Sequence, residues 1–130
     1  AIPANQFDEK KYDFRLSSVE ENTNNLNQIY SVIKKYRPSA SIVFTLSPIP
    51  LMATFRPQSC ITANSVSKSI LRVSLDNIVS KYKKNEDIYY FPSFEIVKDY
   101  FIDPFMDDNR HLTKESILEI MKLFEKNYCF

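Results

Sequence analysis

The sequence predicts an α/β fold, and only part of one. Two short apolar runs, Ile42 to Leu46 and Ile88 to Phe91, lack the alternation of a half-exposed strand. They suit strands covered on both faces, as in a parallel sheet. The segment between them is long enough for a crossover helix, so the three pieces read as a βαβ unit, for which a right-handed connection is the rule. Two strands are few for a stable sheet. The expectation is therefore a single domain over residues 1–130, or the C-terminal half of one whose N-terminal strands are missing.

Taken in order, residues 1–16 show no period, although Phe7, Tyr12 and Phe14 can pin an extended arm onto a neighbouring surface. A helix follows, opened by Ser17 with Glu20 three residues on, the spacing of a capping box. Leu26, Ile29, Tyr30, Ile33 and Tyr36 recur at helical intervals, and Pro38 marks the stop. After the first strand, Pro48, Pro50 and Pro57 hold residues 47–60 as an irregular loop. A second helix runs from Asn64 to Tyr82 with Val66, Ile70, Val73 and Ile78 inward. Beyond the second strand, Ser93 caps a short helix through Tyr100. Past a turn at Pro104, a last helix begins near Thr113 and turns Ile117, Ile120, Met121 and Phe124 inward.

A composition of 44% apolar and 25% charged residues is that of a soluble globular protein. The formal charge of +1 gives no global pull toward nucleic acid, membrane or acidic substrates. Lys34–Lys35 and Lys81–Lys84 fall at helix ends, where they complement the helix dipole, and no aromatic-basic motif accompanies them. No stretch approaches the roughly 18 apolar residues of a membrane span, and no signal peptide opens the chain. Cys60 and Cys129 make no metal-spacing pattern, so neither metal nor organic cofactor is implied and a reduced, cytoplasmic setting is expected. Cys60, with no histidine or helix start beside it in sequence, reads as a buried small hydrophobe. Glycine is absent, where average usage would give about nine. That excludes a P-loop, a Rossmann fingerprint and a Gly-flanked nucleophile elbow, each of which needs glycine for a sharp turn or a close backbone approach.

In open α/β folds ligands meet the loops at the carboxyl ends of the strands. Here those are residues 47–60 and the segment from residue 92 onward. The second contains Asp108-Asn109-Arg110-His111. An Asp three residues before a His, in a turn leading into a helix, can hold Nδ1–H while Nε2 faces outward as a general base. Imidazole is the side chain whose ordinary titration falls in the neutral range, as taking a serine proton requires. An exposed loop histidine beside a helix N-cap is the plainer reading of the same residues.

The wider pattern comprises Thr45-Leu46-Ser47-Pro48-Ile49-Pro50-Leu51, Thr54-Phe55, Ala63-Asn64 with Ser67-Lys68 and Leu71-Arg72, Tyr90-Phe91-Pro92-Ser93-Phe94-Glu95, and Arg110-His111. In order and spacing it resembles the GSCFA family over about residues 40–125. That family is related to the SGNH hydrolases, Ser-His-Asp esterases on a flavodoxin-like three-layer sheet. The resemblance implies that Asp108 and His111 complete such a triad, in an ester hydrolase or acyltransferase acting on acylated carbohydrate. It also implies a defect. The nucleophile belongs to a Gly-Ser-Cys-Phe-Ala motif that a chain without glycine does not contain.

Three further residues are candidates for substrate binding. Ser47 ends a strand, although it precedes a proline and can serve simply to finish a turn. Arg56, in the proline-stiffened loop, could meet an acidic or carbohydrate group or be an ordinary surface arginine. Glu95 points toward the site or only favours the positive end of its helix. Lys68 and Arg72 share a helix face for no reason legible in sequence. The expected partner is the N-terminal half of the domain, or a second copy, meeting an exposed edge that includes Phe44, Leu46 and the apolar Ile49–Met52 run. A non-catalytic binding or assembly module is the rival reading.

Overall fold

The computed structural model describes Gln6, Asp8 and residues 10–129. The elements in order are α1 (Val19–Tyr36), β1 (Ile42–Thr45), α2 (Cys60–Tyr82), β2 (Ile88–Phe91), α3 (Ser93–Glu95) and α4 (Lys114–Tyr128). A single π-helical turn, Ile96–Tyr100, continues α3 directly. β1 and β2 pair in parallel, from Ile42 opposite Ile88 to Thr45 opposite Phe91, with α2 as the connection. The α/β expectation therefore holds at the level of a small two-stranded parallel sheet with helices. Phe7 of the expected arm lies outside the described residues, while the Phe14 ring meets Phe55 with centroids 5.8 Å apart.

Because side chains alternate along a strand, the sheet has two different faces. Ile42 and Ile88 pack with Tyr30 of α1 and Ile78 of α2, and Phe44, Leu26 and Ile33 lean on that cluster. Ile78 is wholly buried at its centre. On the other face Phe91 meets the rings of Phe124 and Tyr128 edge-on at 5.3 and 5.8 Å, and Tyr89 meets Tyr128 at 6.2 Å. The Tyr128 hydroxyl also donates to the Tyr90 carbonyl at 3.2 Å. Helices therefore flank both faces, as strands buried on both sides require. At the amino ends of the strands, Lys34 joins Asp87 at 2.6 Å, and the Tyr30 hydroxyl donates to the same carboxylate at 3.2 Å. That network secures the end of the sheet opposite the candidate site.

Several boundaries and faces differ from the sequence expectation. The capping box is one residue on: Ser18, not Ser17, accepts from the Glu21 backbone N–H at 3.1 Å, and Glu21 returns the bond at 2.9 Å. α2 starts at Cys60 rather than Asn64, because Ser59 accepts from Thr62 N–H and caps it. Cys60 thus sits at a helix start, half-buried, with its thiol donating to the Leu51 carbonyl at 3.3 Å; it is not the buried hydrophobe expected. α2 turns Ala63, Ser74, Leu75 and Ile78 inward, whereas Val73 is exposed. Ser74 tolerates burial because its hydroxyl donates to the Ile70 and Val19 carbonyls. On α1 only Tyr30 is buried, and Ile29 and Tyr36 face outward. On α4, Ile117 and Met121 are exposed. Leu46 is buried, not part of an open edge, whereas Leu51 and Met52 are exposed as expected.

Candidate functional site

The carboxyl-end side of the sheet is organised by polar clasps. Ser93 is not an N-cap: Pro92 holds that position, and the buried Ser93 hydroxyl donates instead to the Leu46 carbonyl at 3.0 Å. Its oxygen is then free to accept from Thr45 Oγ1 at 2.6 Å. This stitches the end of β1 to the start of α3. Lys68 donates to the Ser47 carbonyl at 2.6 Å, and Leu51 N–H donates to Asn64 Oδ1 at 3.0 Å, so α2 holds the proline loop.

The shared face of Lys68 and Arg72 now has a physical account. The Arg72 guanidinium lies over the Tyr90 ring, 4.5 Å from its centroid, and its Nε donates to Glu95 Oε1 at 2.8 Å. The Tyr90 hydroxyl donates to Glu95 Oε2 at 2.8 Å. Burial pushes the Glu95 carboxyl up, but the hydrogen bonds from Tyr90 and Arg72 outweigh it and hold the group below its ordinary value. Burial, reinforced by the carboxylate, pushes the Tyr90 phenol well above its usual range. Arg72 therefore fastens the helix after β2 to α2, and Glu95 is committed to that contact.

The Asp108–His111 pair sits on a hairpin between the π-helical turn and α4. Phe105 and Leu112 form an antiparallel bridge, Met106 N–H donates to the His111 carbonyl at 2.7 Å, and Thr113 N–H donates to the Pro104 carbonyl at 3.0 Å. Asn109 closes the tip at φ 52°, a left-handed conformation that Asn tolerates better than most residues. This turn aims one carboxylate at three donors. Asp108 Oδ1 accepts from the backbone N–H groups of Arg110 and His111 at 3.0 and 2.9 Å, and Oδ2 meets His111 Nδ1 at 2.5 Å. The His111 ring, then the backbone donors, hold the Asp108 carboxyl down at about 2. An ionised carboxylate only accepts, so Nδ1 carries the proton. In the neutral ring Nε2 then holds the lone pair, and it faces Arg110 Nη1 at 3.4 Å. Arg110 Nε is buried without a partner among the described residues.

Glu95 and Asp108 are two carboxylates that stay ionised below their ordinary range. Both are depressed on folding, so each contributes stability that is present above its unfolded pKa, about 3.9 for Asp and 4.3 for Glu, and lost as pH falls through the folded value. The expected result of a carboxyl-carbon NMR titration is that Asp108 stays ionised down to pH near 2, with the hairpin intact until then. Titration of Asp108 near 4 would mean that the pair does not form in solution.

A cleft of about 600 Å³ lies beside the hairpin, between α2, the proline loop and the π-helical turn. Pro104 and Phe105 of the hairpin line it, as does Pro48, but Asp108 and His111 do not. Ser47, Arg56 and Glu95 do not line it either. Ser47 uses its carbonyl on Lys68 and its Oγ on Ile49 N–H, and the Arg56 backbone bonds Thr54. The cleft-lining cations Lys68, Arg72 and Lys98 were not expected as site residues from sequence; the four-residue spacing of the first two was the available signal. Among the described residues, no three His, Cys, Asp or Glu side chains converge as metal ligands do.

A small parallel α/β unit carrying an oriented Asp–His pair on its carboxyl-end loops defines a class of site rather than a reaction. The chain belongs to the GSCFA family, whose model matches residues 2–124. The match is wider than the 40–125 on which the sequence motifs alone rest. No curated protein and no solved structure is significantly similar to the chain. Among the described residues, no helix is long and apolar enough to cross a membrane.

Proposed function

We propose that this chain supplies the Asp–His part of a Ser-His-Asp ester hydrolase or acyltransferase of SGNH type, on a flavodoxin-like sheet completed by a segment outside residues 1–130. The observation that carries the reading is the Asp108–His111 contact at 2.5 Å, with Nδ1 fixed as the donor. In the reaction, Nε2 takes the serine proton as Oγ attacks the ester carbonyl carbon. Nε2 then returns that proton to the departing alkoxide as the carbon–oxygen bond breaks. Water, or an acceptor hydroxyl such as that of a carbohydrate, repeats the sequence on the acyl-enzyme, with Asp108 stabilising the transient imidazolium throughout. Arg110 must leave Nε2 for the serine to approach.

The nucleophile comes from elsewhere in this reading because Nε2 has no hydroxyl partner among the described residues. Outer edges of β1 and β2 that pair with no other strand among the described residues, together with exposed Ile29 and Val32 of α1 and Leu118 and Met121 of α4, support a docked segment or a second copy. The free cysteines Cys60 and Cys129 fit a reducing, cytoplasmic setting. The Arg110 contact at Nε2, where a serine would stand, favours a second reading: a non-catalytic binding module.

Two assays separate the readings. The 130-residue chain should hydrolyse p-nitrophenyl acetate no faster than buffer, and a fluorophosphonate should label a serine in the whole gene product but not within these residues. Turnover by the isolated chain that needs His111 yet survives removal of every serine would show the mechanism to be different. A whole product with no labelled serine would remove the hydrolase reading and leave the binding module.

A further inference from the structure

The cleft beside the hairpin combines apolar side chains with three cations, two of which have no acidic partner among the described residues. Phe94, Val97, Phe101 and Phe105 form much of its wall, and Val97 at the base is almost wholly buried. Lys68, Arg72 and Lys98 also line it, and among the described residues no Asp or Glu does. Arg72 is neutralised from behind by Glu95 and Asp76. The other two cations are not paired with any acid among the described residues. Lys68 uses one N–H on the Ser47 carbonyl, and burial pushes its ammonium below the ordinary lysine value. Lys98 lies over the Phe94 ring, 5.6 Å from its centroid. The π-helical turn has a mechanical part here: Phe101 N–H reaches back five residues to the Ile96 carbonyl at 3.3 Å, so the widened turn brings Val97, Lys98 and Phe101 to one wall. Such turns recur at functional sites.

We propose that this cleft binds a small amphiphilic anion, an acyl or aryl body ending in a carboxylate or phosphate. The body would lie on Phe94, Val97, Phe101 and Phe105, and the head would meet Lys68 and Lys98. A volume of about 600 Å³ falls within the range of small-molecule sites. Lys68, partly desolvated and lacking an acid, is where an anionic head regains the partner that burial removed, and exposed Lys98 adds a second positive charge. The site does not depend on the hydrolase reading, because neither Asp108 nor His111 lines it.

The test is an amide-resolved NMR titration of the 130-residue chain with octanoate, octyl phosphate, octyl glucoside and inorganic phosphate. Octanoate or octyl phosphate should shift the amides of Lys68, Lys98 and Phe101 saturably, and the tighter of the two identifies the head group. Octyl glucoside and inorganic phosphate should each bind at least about tenfold more weakly, for want of a charge and of a body respectively. Lys98→Gln should weaken binding about three- to tenfold, a loss consistent with one partly exposed charge. Ser65→Trp, which fills the cleft from an exposed position on α2, should abolish binding while the α1 amides stay in place. Equal binding of octyl glucoside would reduce the cleft to an unselective apolar surface. Equal binding of inorganic phosphate would reduce it to a cation pair, and silence from both octyl anions would overturn the proposal.

Discussion

Replacing Ile78 with Ala is expected to cost about 2–5 kcal/mol, the range for truncating a fully buried aliphatic side chain. Ile78 is the fully buried residue that α2 drives into the cluster of Tyr30, Ile42 and Ile88, with Val79 and Tyr82 of the same helix partly buried against it. Its removal leaves a cavity that both strands and α1 border, and none of them collapses into it without giving up strand pairing or the contact between α1 and α2. With total stabilities of about 5–15 kcal/mol for ordinary domains, the loss is a large fraction. For a chain of this size it corresponds to a melting-point drop of roughly 6–25 °C. Ile102→Ala is the matching control, because Ile102 is 92% exposed and its truncation should stay within about 0.5 kcal/mol. If denaturant melts of the two variants coincided, the core would not lie where the structure puts it.

Why Ile78 was legible in the sequence while its neighbours were not comes down to what periodicity reports. A 3.6-residue repeat identifies the apolar stripe of a helix, but α1, α2 and α4 each carry a stripe wider than the surface available to bury it. Tyr30 and Ile78 face the sheet; Ile29, Val73 and Ile117 sit to the side and remain exposed. The strands were legible because two β-branched, aromatic-rich runs of this length have few other uses. Cap positions slipped wherever two candidate hydroxyls lay near one another. Ser17 and Ser18 both precede a Glu at the right spacing, and backbone geometry chose the second. Ser93 had an equally good long-range partner in the Leu46 carbonyl, which sequence spacing does not reveal. The Asp108–His111 contact was accessible because it is local, three residues within one turn. The Arg72–Tyr90–Glu95 cluster and the basic cleft were not, since they join residues distant in sequence through the packing of α2 against the segment after β2.

Locality also makes the largest functional effect specific. If the proposed hydrolase function holds, replacing Asp108 with Asn should lower the ester turnover of the serine-bearing protein by about 10²–10⁴ in kcat, with a smaller change in KM. Oriented Ser-His-Asp sites lose up to about 10⁴ from the same change, through the wrong histidine tautomer. The turn predicts that outcome here. Asp108 Oδ1 is gripped by the Arg110 and His111 backbone N–H groups at 3.0 and 2.9 Å, so the amide oxygen of the introduced asparagine keeps that position. Its NH₂ then faces Nδ1 and turns that nitrogen from donor into acceptor. The ring proton moves to Nε2, where the reaction needs a lone pair. The pair is solvent-exposed, with side-chain exposures of 57% for His111 and 48% for Asp108, so bulk water can substitute in part and the lower end of the range is realistic. Nitrogen-15 NMR of the imidazole reads the tautomer in the 130-residue chain itself, without the nucleophile. The expected spectrum shows the proton on Nδ1 in the parent and on Nε2 in the variant. A variant that keeps the Nδ1 proton, or that retains kcat within threefold in the serine-bearing protein, would remove Asp108 from the role of orienting His111.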